Sequence, residues 1–194
     1  MYVNADKTIL VDADGVLLDW VYSFTAWMNR HDYVVVNPGE YRMDVRYGLD
    51  RAEGKKLCRM FNESATIRKI PPLRDAIKYI RKLHEEHGYV FHVISSLSND
   101  EYSQRLRTKN LIELFGPTVF ERYTYLDTGA DKDEALEIYR DSSCIWIEDK
   151  PENADKGLEL GLDSLLVAHD HNVDYDGDAY VVNNWKEIYN YIIG

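Results

Sequence analysis

The most informative segment of the chain is Thr8-Ile-Leu-Val-Asp-Ala-Asp-Gly-Val-Leu-Leu-Asp19. Its first four residues form a continuous run with strand propensity, which predicts a central strand buried on both faces. Asp12 and Asp14 follow at the carboxyl end of that strand, where open α/β sheets bind their ligands. Gly15 then allows the backbone to leave the sheet. Two carboxylates this close at a buried strand end repel each other, so a cation or a proton is implied.

A calcium-binding loop does not explain these carboxylates. Such a loop has an oxygen ligand at its fifth position and Glu at its twelfth, whereas Val16 and Ser23 stand there. The pattern Asp-x-Asp-Gly after an apolar strand instead resembles the nucleophile motif of the haloacid dehalogenase (HAD) superfamily of phosphohydrolases. If the resemblance holds, later parts of the chain must supply partner residues.

The net charge limits the class of partner. Apolar residues make up 45% of the 194 positions, which is ordinary for a folded domain, and the length allows one core that buries about 70% of the unfolded surface. Lys and Arg number 23 against 34 Asp and Glu, a net charge of −11, which argues against long nucleic acid as the main partner. A small phosphorylated substrate can still enter if a metal and a few cations line the pocket.

We expect a cytoplasmic protein with no membrane partner. No apolar run approaches the roughly 20 residues of a membrane span, and no signal peptide is visible. Cys58 and Cys144 lie far apart in periodic segments, so we expect buried reduced thiols, which fit a reducing compartment. The sequence leaves the oligomeric state open, with a homodimer among the alternatives.

The rest of the chain alternates predicted strands and helices, as in a doubly wound parallel α/β sheet. Further strands are predicted at 90–94, 123–126, 144–147 and 164–167. Helices are predicted at 20–30, 50–61, 73–88, 98–115, 133–139, 152–160 and 185–193. A capping box at Ser98 and Glu101 predicts the start of the fourth of these helices. We predict that residues 20–70 form a small helical cap and that residues 1–19 and 71–194 form the core domain.

Three predicted strands end in chemically useful residues, and a fourth candidate begins a helix. Asp12 and Asp14 follow the first strand, Ser95 the second, and Glu148-Asp149 the fourth, while Lys132 starts the helix before the fourth strand. In this order they resemble all four HAD motifs, between about residues 8 and 167. The resemblance implies that the strands with the first, second and fourth motifs lie side by side.

The resemblance also implies a chemistry. Asp12 would attack phosphorus to give an aspartyl-phosphate, and Asp14 would act as general acid and base, a residue that phosphatases of this superfamily have and its dehalogenases lack. Mg²⁺ would be held by the carboxylates of Asp12 and Asp149 and the backbone carbonyl of Asp14. Ser95 would bind a phosphoryl oxygen, and Lys132 would neutralise the phosphate and Asp12.

Some of these assignments have rivals. Ser96 is an alternative substrate-binding residue to Ser95, and Lys109 competes with Lys132. Asn153 either caps the following helix or supports Asp149. We predict that the partial calcium pattern at Asn172 to Gly177 is an acidic surface loop, because its twelfth position is Asn183. The neighbouring histidines, His169 and His171, are expected to be exposed or at an entrance.

A narrower resemblance is to the 5′(3′)-deoxyribonucleotidase branch. It rests on the runs Lys109-Asn-Leu-Ile-Glu-Leu-Phe-Gly-Pro, Asp131-Lys132 and Ile147-Glu-Asp-Lys-Pro151. A helical cap between the first two motifs also resembles the C1 class of the superfamily. Two positions depart conservatively, since that branch often has Asp at 148 and Thr at 95.

The cap has few identifiable substrate contacts. Trp20 stands eight residues past Asp12, where the nucleotidase branch has an aromatic ring that packs on the nucleobase. A core position at the cap hinge is an equal alternative for this side chain. Four further cap residues are candidates for substrate contact: Arg42, Arg46, Tyr47 and Arg68.

We therefore expect a Mg²⁺-dependent phosphohydrolase that acts on a small phosphomonoester, with a (deoxy)nucleoside monophosphate as the favoured substrate. A sugar or metabolite phosphatase and a 3′-phosphatase for nucleic-acid ends are alternatives with the same chemistry. A catalytically idle HAD-fold binding protein is an alternative of another class. The intact set of Asp12, Asp14, Lys132 and Asp149 argues against it.

Overall fold

The computed structural model describes residues 7–194, which form one six-stranded sheet in the order β3-β2-β1-β4-β5-β6. All five strand pairs are parallel. The strands are β1 (Thr8–Val11), β2 (Val90–Ser96), β3 (Phe120–Leu126), β4 (Ile145–Glu148), β5 (Asp163–Val167) and β6 (Tyr180–Val182). The prediction of a doubly wound parallel α/β sheet is therefore confirmed.

Eight α-helices accompany the sheet within the described range. They are α1 (Trp20–Asn29), α2 (Met43–Tyr47), α3 (Arg51–Asn62), α4 (Ala76–His87), α5 (Glu101–Phe115), α6 (Asp133–Glu137), α7 (Pro151–Glu159) and α8 (Trp185–Ile193). Two 3₁₀ helices lie at Ala65–Lys69 and Asp170–Asn172. None of the helices in residues 7–194 has the length and apolar character that a membrane crossing requires.

Strand β1 is buried on both faces, as its unbroken apolar run predicts. Ile9 and Val11 belong to a core that includes side chains of α4, α5 and α8, whereas Leu10 packs in a second core with Leu136 of α6 and Trp146 of β4. All three strand residues are fully buried. The sheet therefore has helices on both faces, and β1 lies at its centre.

The helical segment between β1 and α4 leaves and rejoins the core at neighbouring points. Asp19 N donates to Pro71 O, and Leu73 N donates to Leu17 O. Inside the segment, an aromatic cluster joins α1 to α3: Phe24 stacks on Trp20 and meets Phe61 edge-on. This segment covers the predicted cap, whose boundaries at 20 and 70 stay a prediction.

One local prediction was wrong, and a strand was missed. The N-cap of α5 is Asp100, whose carboxylate accepts from Ser103 N. The Ser98 hydroxyl instead donates to Glu63, so the capping box does not form. Strand β6 has two of its three residues exposed at the edge of the sheet, and such a short edge strand has no buried apolar run that a sequence pattern could detect.

Candidate active site

The carboxyl ends of β2, β1 and β4 meet at one edge, because these strands are neighbours in the sheet. The adjacency that the HAD resemblance implied is thus present. The edge gathers six buried or nearly buried ionisable side chains, which we call the acidic cluster: Asp12, Asp14, Arg107, Lys132, Glu148 and Asp149.

Lys132 links two carboxylates of the acidic cluster. Its ammonium lies 2.8 Å from Asp12 Oδ2 and 2.6 Å from Glu148 Oε2, and its side chain is only 3% exposed. Burial lowers the pKa of Lys132, but the charges of Asp12 and Glu148 outweigh burial and raise it. Lys132 is therefore a fixed positive charge against Asp12. Its rival Lys109 is exposed on α5.

Glu148 orients this lysine rather than offering free oxygens. Its carboxylate accepts from Lys132 Nζ, Asn153 Nδ2 and the backbone N–H groups of Asp149 and Lys150. Both predicted roles of Asn153 were wrong, because α7 has Lys150 as its N-cap with no side-chain bond and the Asn153 amide reaches Glu148 instead. Four donors occupy the Glu148 carboxylate, which leaves it no spare capacity for a ligand.

Asp149 packs against the turn after β1. Gly15 has φ +76°, and a Cβ at this position would overlap the Asp149 carboxylate, so only glycine fits there. The Asp149 carbonyl accepts from Asn172 Nδ2 at 2.8 Å. Burial, followed by the charge of Asp12, raises the pKa of Asp149 to about 7. This carboxyl therefore lies in a site where a neighbouring cation would stabilise its charged form.

The loop after β5 forms part of the cleft wall. His169 Nε2 lies 2.7 Å from Gly15 O, and His171 Nε2 lies 3.0 Å from Asp149 O. The two rings stack at 5.4 Å. The predicted entrance position of these histidines agrees with their lining of the cleft. Asn172, which belongs to the partial calcium pattern, is buried. Its side-chain amide donates to the Asp149 and Val167 carbonyls.

Asp14 has a partner that our sequence reading missed. Arg107 of α5 is fully buried, and its Nη1 lies 2.6 Å from Asp14 Oδ1. Burial raises the pKa of Asp14 to about 6 against the opposing charge of Arg107. A sequence signal existed: the buried face of α5 has a helical spacing, and Arg107 falls within it. The buried positions of that face are Ser103, Leu106, Arg107, Asn110, Leu111 and Phe115.

The two serines at the end of β2 differ in what their hydroxyls contact. Ser96 Oγ donates to Ala130 O at 2.7 Å. Ser95 is 1% exposed and its hydroxyl has no hydrogen-bond partner of good geometry within residues 7–194, although it lies close enough to Asp12 to lower the pKa of that carboxyl. Ser95 is therefore the hydroxyl that remains available to a ligand beside Asp12.

Asp12 has one backbone donor besides Lys132. Ala13 N donates to Asp12 Oδ1 at 2.6 Å. Burial raises the pKa of Asp12 to about 6, with Lys132 acting in the opposite direction and Glu148 adding to the increase. Oxygens of Asp12, Glu148 and Asp149 lie within 4.8 Å of one another.

The donor set fits a hard divalent cation such as Mg²⁺. The acidic cluster contains four carboxyl groups against the two cations Lys132 and Arg107, so negative charge is in excess when all of them are ionised. Glu148 is occupied by its four donors, while Asp12 and Asp149 have carboxylate oxygens within 4.8 Å of each other. Carboxylate oxygens are the ligands that Mg²⁺ prefers. The two residues predicted from sequence as carboxylate ligands thus lie together.

A cleft of about 730 Å³ opens over the acidic cluster, within the size range of small-molecule sites. Trp20, Arg42 and Arg46 line it. Trp20 Nε1 donates to Asn62 Oδ1 at 3.0 Å and its ring stacks on Phe24 at 4.6 Å.

Three further cap residues have distinct positions. Tyr47 is buried and its hydroxyl bonds Thr25, and Arg68 pairs with Glu113; neither lines the cleft. Tyr41, which we did not predict, lines the cleft with its ring 4.8 Å from His171. Tyr41 is 45% exposed overall, but partial loss of water within the cleft, followed by the charge of Asp149, raises its pKa. The cleft wall therefore contains a tyrosine hydroxyl that stays protonated.

We compared the chain with known proteins and solved structures. No family model matches the chain. An uncharacterized 32.4 kDa protein of Enterobacteria phage T4 is 24% identical over 198 residues, which cover 94% of this chain and 68% of that protein. A haloacid dehalogenase-like family hydrolase from Streptococcus pneumoniae superposes with a TM-score of 0.67 at 16% identity, over 97% of this chain and 99% of that one. The fold is that of the HAD-like hydrolases.

Two other structures of this fold belong to enzymes with different activities. L-2-haloacid dehalogenase from Xanthobacter autotrophicus has a TM-score of 0.63 at 12% identity, over 97% and 98% of the two chains. D,D-heptose 1,7-bisphosphate phosphatase from B. bronchiseptica, solved with magnesium and phosphate, has a TM-score of 0.59 at 9% identity, over 96% and 98%. Identities this low support the fold, so the C1 cap class and the nucleotidase branch stay predictions.

Proposed function

We propose that this protein is a Mg²⁺-dependent phosphohydrolase that releases phosphate from a small phosphomonoester. The observation that supports the proposal is the buried arrangement of Asp12 beside Lys132, with Asp14 two residues further on. Asp149 packs on Gly15 and has a carboxylate oxygen within 4.8 Å of one of Asp12. One HAD-like neighbour is a phosphatase solved with magnesium and phosphate, and this agrees with the excess of carboxylate in the acidic cluster.

Three groups of this chain would hold Mg²⁺: the carboxylates of Asp12 and Asp149 and the backbone carbonyl of Asp14. When bound, the ion neutralises charge on the phosphoryl oxygens. Such neutralisation is needed because nucleophile and substrate are both anionic. Lys132 adds a positive charge 2.8 Å from Asp12 Oδ2, and the Ser95 hydroxyl would donate to a phosphoryl oxygen.

The reaction has two steps. In the first, an Asp12 oxygen forms a bond to phosphorus, the bond from phosphorus to the ester oxygen breaks, and Asp14 gives its proton to the departing alkoxide. In the second, Asp14 takes a proton from a water whose oxygen attacks the same phosphorus, and inorganic phosphate leaves. Asp12 and protonated Asp14 are then regenerated. Arg107 holds the Asp14 carboxyl in a fixed orientation beside Asp12.

A (deoxy)nucleoside monophosphate is the substrate class that we favour. Trp20 lines the cleft with its indole fixed by a hydrogen bond to Asn62 and by stacking on Phe24. A ring held in this way presents a defined apolar surface to an aromatic base at little entropic cost. Sugar phosphates and 3′-phosphorylated oligonucleotides use the same chemistry and belong in the same assay.

Phosphate release from a panel of phosphomonoesters tests the proposal, with Mg²⁺ and with chelator. The panel contains deoxynucleoside and ribonucleoside monophosphates, sugar phosphates, 3′-phosphorylated oligonucleotides and 4-nitrophenyl phosphate, and halide release from 2-chloropropionate is the test for dehalogenation. We expect metal-dependent phosphate release that Asp12→Asn abolishes. Asp170→Asn is the matched control, because Asp170 lines the cleft outside the acidic cluster. Halide release without phosphate release would contradict the proposal.

A further inference from the structure

Helix α3 separates two clefts and presents a different face to each. Positions with a helical spacing of three and four line the active-site cleft, and we call them the cleft face of α3: Arg51, Gly54, Lys55, Cys58 and Asn62. The opposite face lines a second, separate cleft through Glu53, Lys56, Leu57 and Met60. Lys55 and Lys56 are therefore neighbours in sequence that face different clefts.

The segment around this helix is basic within an acidic chain. Positions 40–59 contain six Lys and Arg against four Asp and Glu, whereas the whole chain has a net charge of −11. Two of the cations that line the cleft have partners. Arg42 pairs with Asp44 at 2.5 Å, and Arg46 donates to the Pro38 carbonyl.

Arg51 and Lys55 are the basic residues of the cleft face of α3, and they have no such partner. Both are exposed, and neither makes a salt bridge or side-chain hydrogen bond within the described chain. Acids are available in the same cleft lining, Glu40 and Asp44 among them. Two cations one helical turn apart on one face thus remain free to bind an anion from solution.

Close packing fixes the position of this pair. A Cβ at Gly54 would lie 2.6 Å from the Cβ of Asp44, so α2 rests directly on α3 at that residue. At the other end of the helix, Asn62 Nδ2 donates to Leu97 O, next to the end of β2. With a rise of 1.5 Å per residue, Lys55 and Arg51 lie about 10 and 16 Å along the helix axis from Asn62. The pair is therefore at the outer end of the helix.

We propose that Arg51 and Lys55 form a subsite for a second phosphate group, so that the preferred substrate carries another phosphate at the end remote from the one released. The inference rests on the proposed function. A guanidinium binds phosphate through two parallel hydrogen bonds, and an ammonium adds a point charge. The chain has a net charge of −11, which repels anions in general, so two unpaired cations favour binding of a substrate with a second phosphate group.

The test compares matched substrates and matched variants. The substrates are nucleoside 5′-monophosphates against nucleoside 3′,5′-bisphosphates, and sugar monophosphates against sugar bisphosphates. For the double variant Arg51→Gln/Lys55→Gln, we expect kcat/KM for bisphosphates to fall about tenfold or more, through KM, because a charge-assisted pair is lost. For monophosphates we expect less than about a twofold change, since they do not reach the pair.

Lys56→Gln is the control, because it removes the same charge from the same helix on the face that lines the second cleft. It should leave both substrate classes unchanged, and Lys55→Gln alone should reproduce part of the loss for bisphosphates. Equal losses for monophosphates and bisphosphates, or an effect of Lys56→Gln as large as that of Lys55→Gln, would overturn the subsite.

Failure of the subsite and failure of the proposed function give different results. Hydrolysis of 4-nitrophenyl phosphate with no preference for a second phosphate would remove the subsite alone. If nothing is hydrolysed, the proposed function fails, and calorimetric titration with a nucleoside 3′,5′-bisphosphate still tests the subsite. Tighter binding to the unmodified protein than to the double variant would support it, and equal binding would refute it.

Discussion

The acidic cluster and the cleft face of α3 differ in the burial and the pairing of their charged side chains. In the acidic cluster, Lys132 contacts two carboxylates and Arg107 a third, all largely removed from water. On the cleft face of α3, Arg51 and Lys55 are exposed and unpaired within the described residues. Buried charges must be paired or bind a cation, whereas exposed ones cost little when free. The cluster is therefore suited to fixed chemistry, and the helix face to recognition.

The largest effect is expected from the centre of the acidic cluster. Asp12→Asn removes the nucleophile and leaves Lys132 beside a neutral amide, so phosphate release should fall by at least about a thousandfold. Steady-state phosphate assays with saturating Mg²⁺ measure this. A variant that retains a tenth of the activity would show that Asp12 is not the nucleophile.

Arg107→Met should be the most damaging change away from the reacting atoms. It leaves Asp14 largely buried without its cation, which costs about 3 kcal/mol of unfolding free energy. Chemical denaturation measures that cost. If Arg107 orients Asp14 for proton transfer, alkyl phosphates should lose more kcat than 4-nitrophenyl phosphate, whose leaving group needs no proton.

A purely structural role for Arg107 would give a different pattern. Both classes of substrate would then lose kcat in proportion to the folded fraction. Arg107→Lys keeps the charge and should restore part of the difference between the two substrates. Equal losses with alkyl and aryl phosphates in a folded variant would refute the positioning role.

The two serines of β2 provide a smaller and more selective comparison. Ser95→Ala removes a hydroxyl that has no hydrogen-bond partner of good geometry within residues 7–194, and it should lower kcat/KM about tenfold, the value of a hydrogen bond to a charged oxygen. Ser96→Ala removes a hydroxyl that donates to Ala130 O, so it should change kcat/KM by less than about threefold. The opposite order would exchange their roles.

The smallest effect concerns stability and pH. Burial raises the pKa of Asp12 and Asp14 to about 6 and that of Asp149 to about 7, while unfolded Asp titrates near 3.9. The native state thus binds more protons than the unfolded state between these values, so stability without metal should fall as pH rises from 5 to 8.

Mg²⁺ should reverse this trend, because it binds the ionised carboxylates of the folded state. The midpoint temperature of thermal unfolding at pH 8 should rise by about 4 °C or more with saturating Mg²⁺. The rise should be smaller at pH 5. The variant Asp12→Asn/Asp149→Asn should show little response to Mg²⁺ at either pH. An equal response in the variant would locate the metal elsewhere.

Sequence predicted the parts of the site that local patterns encode. Asp12 and Asp149 directly follow apolar strands, and Asp14 is two residues past Asp12. A parallel sheet brings such strand ends together. Arg107 reaches the site from a helix far along the chain, and only its place in a buried helical spacing distinguishes it. Asn153 was assigned to the wrong partner because backbone geometry decides which of two adjacent acids it reaches.

Recognition residues are harder to predict because they have no motif. Which of Lys55 and Lys56 faces the cleft depends on how α2 packs on Gly54, which is a tertiary contact. The same holds for Tyr41, which lines the cleft and whose ring contacts His171 of the loop after β5. Residues at strand ends can be identified from the sequence because an apolar run precedes them. Which residues of a cap helix face the cleft is decided by tertiary packing.

Mass spectrometry of the acid-quenched protein during turnover of 4-nitrophenyl phosphate tests whether Asp12 forms an aspartyl-phosphate. We expect the peptide containing Asp12 to gain the mass of one phosphoryl group in the presence of Mg²⁺, and no such gain in Asp12→Asn. A phosphoryl group on any other residue, or turnover without a phosphorylated protein under conditions where the second step is slow, would contradict it.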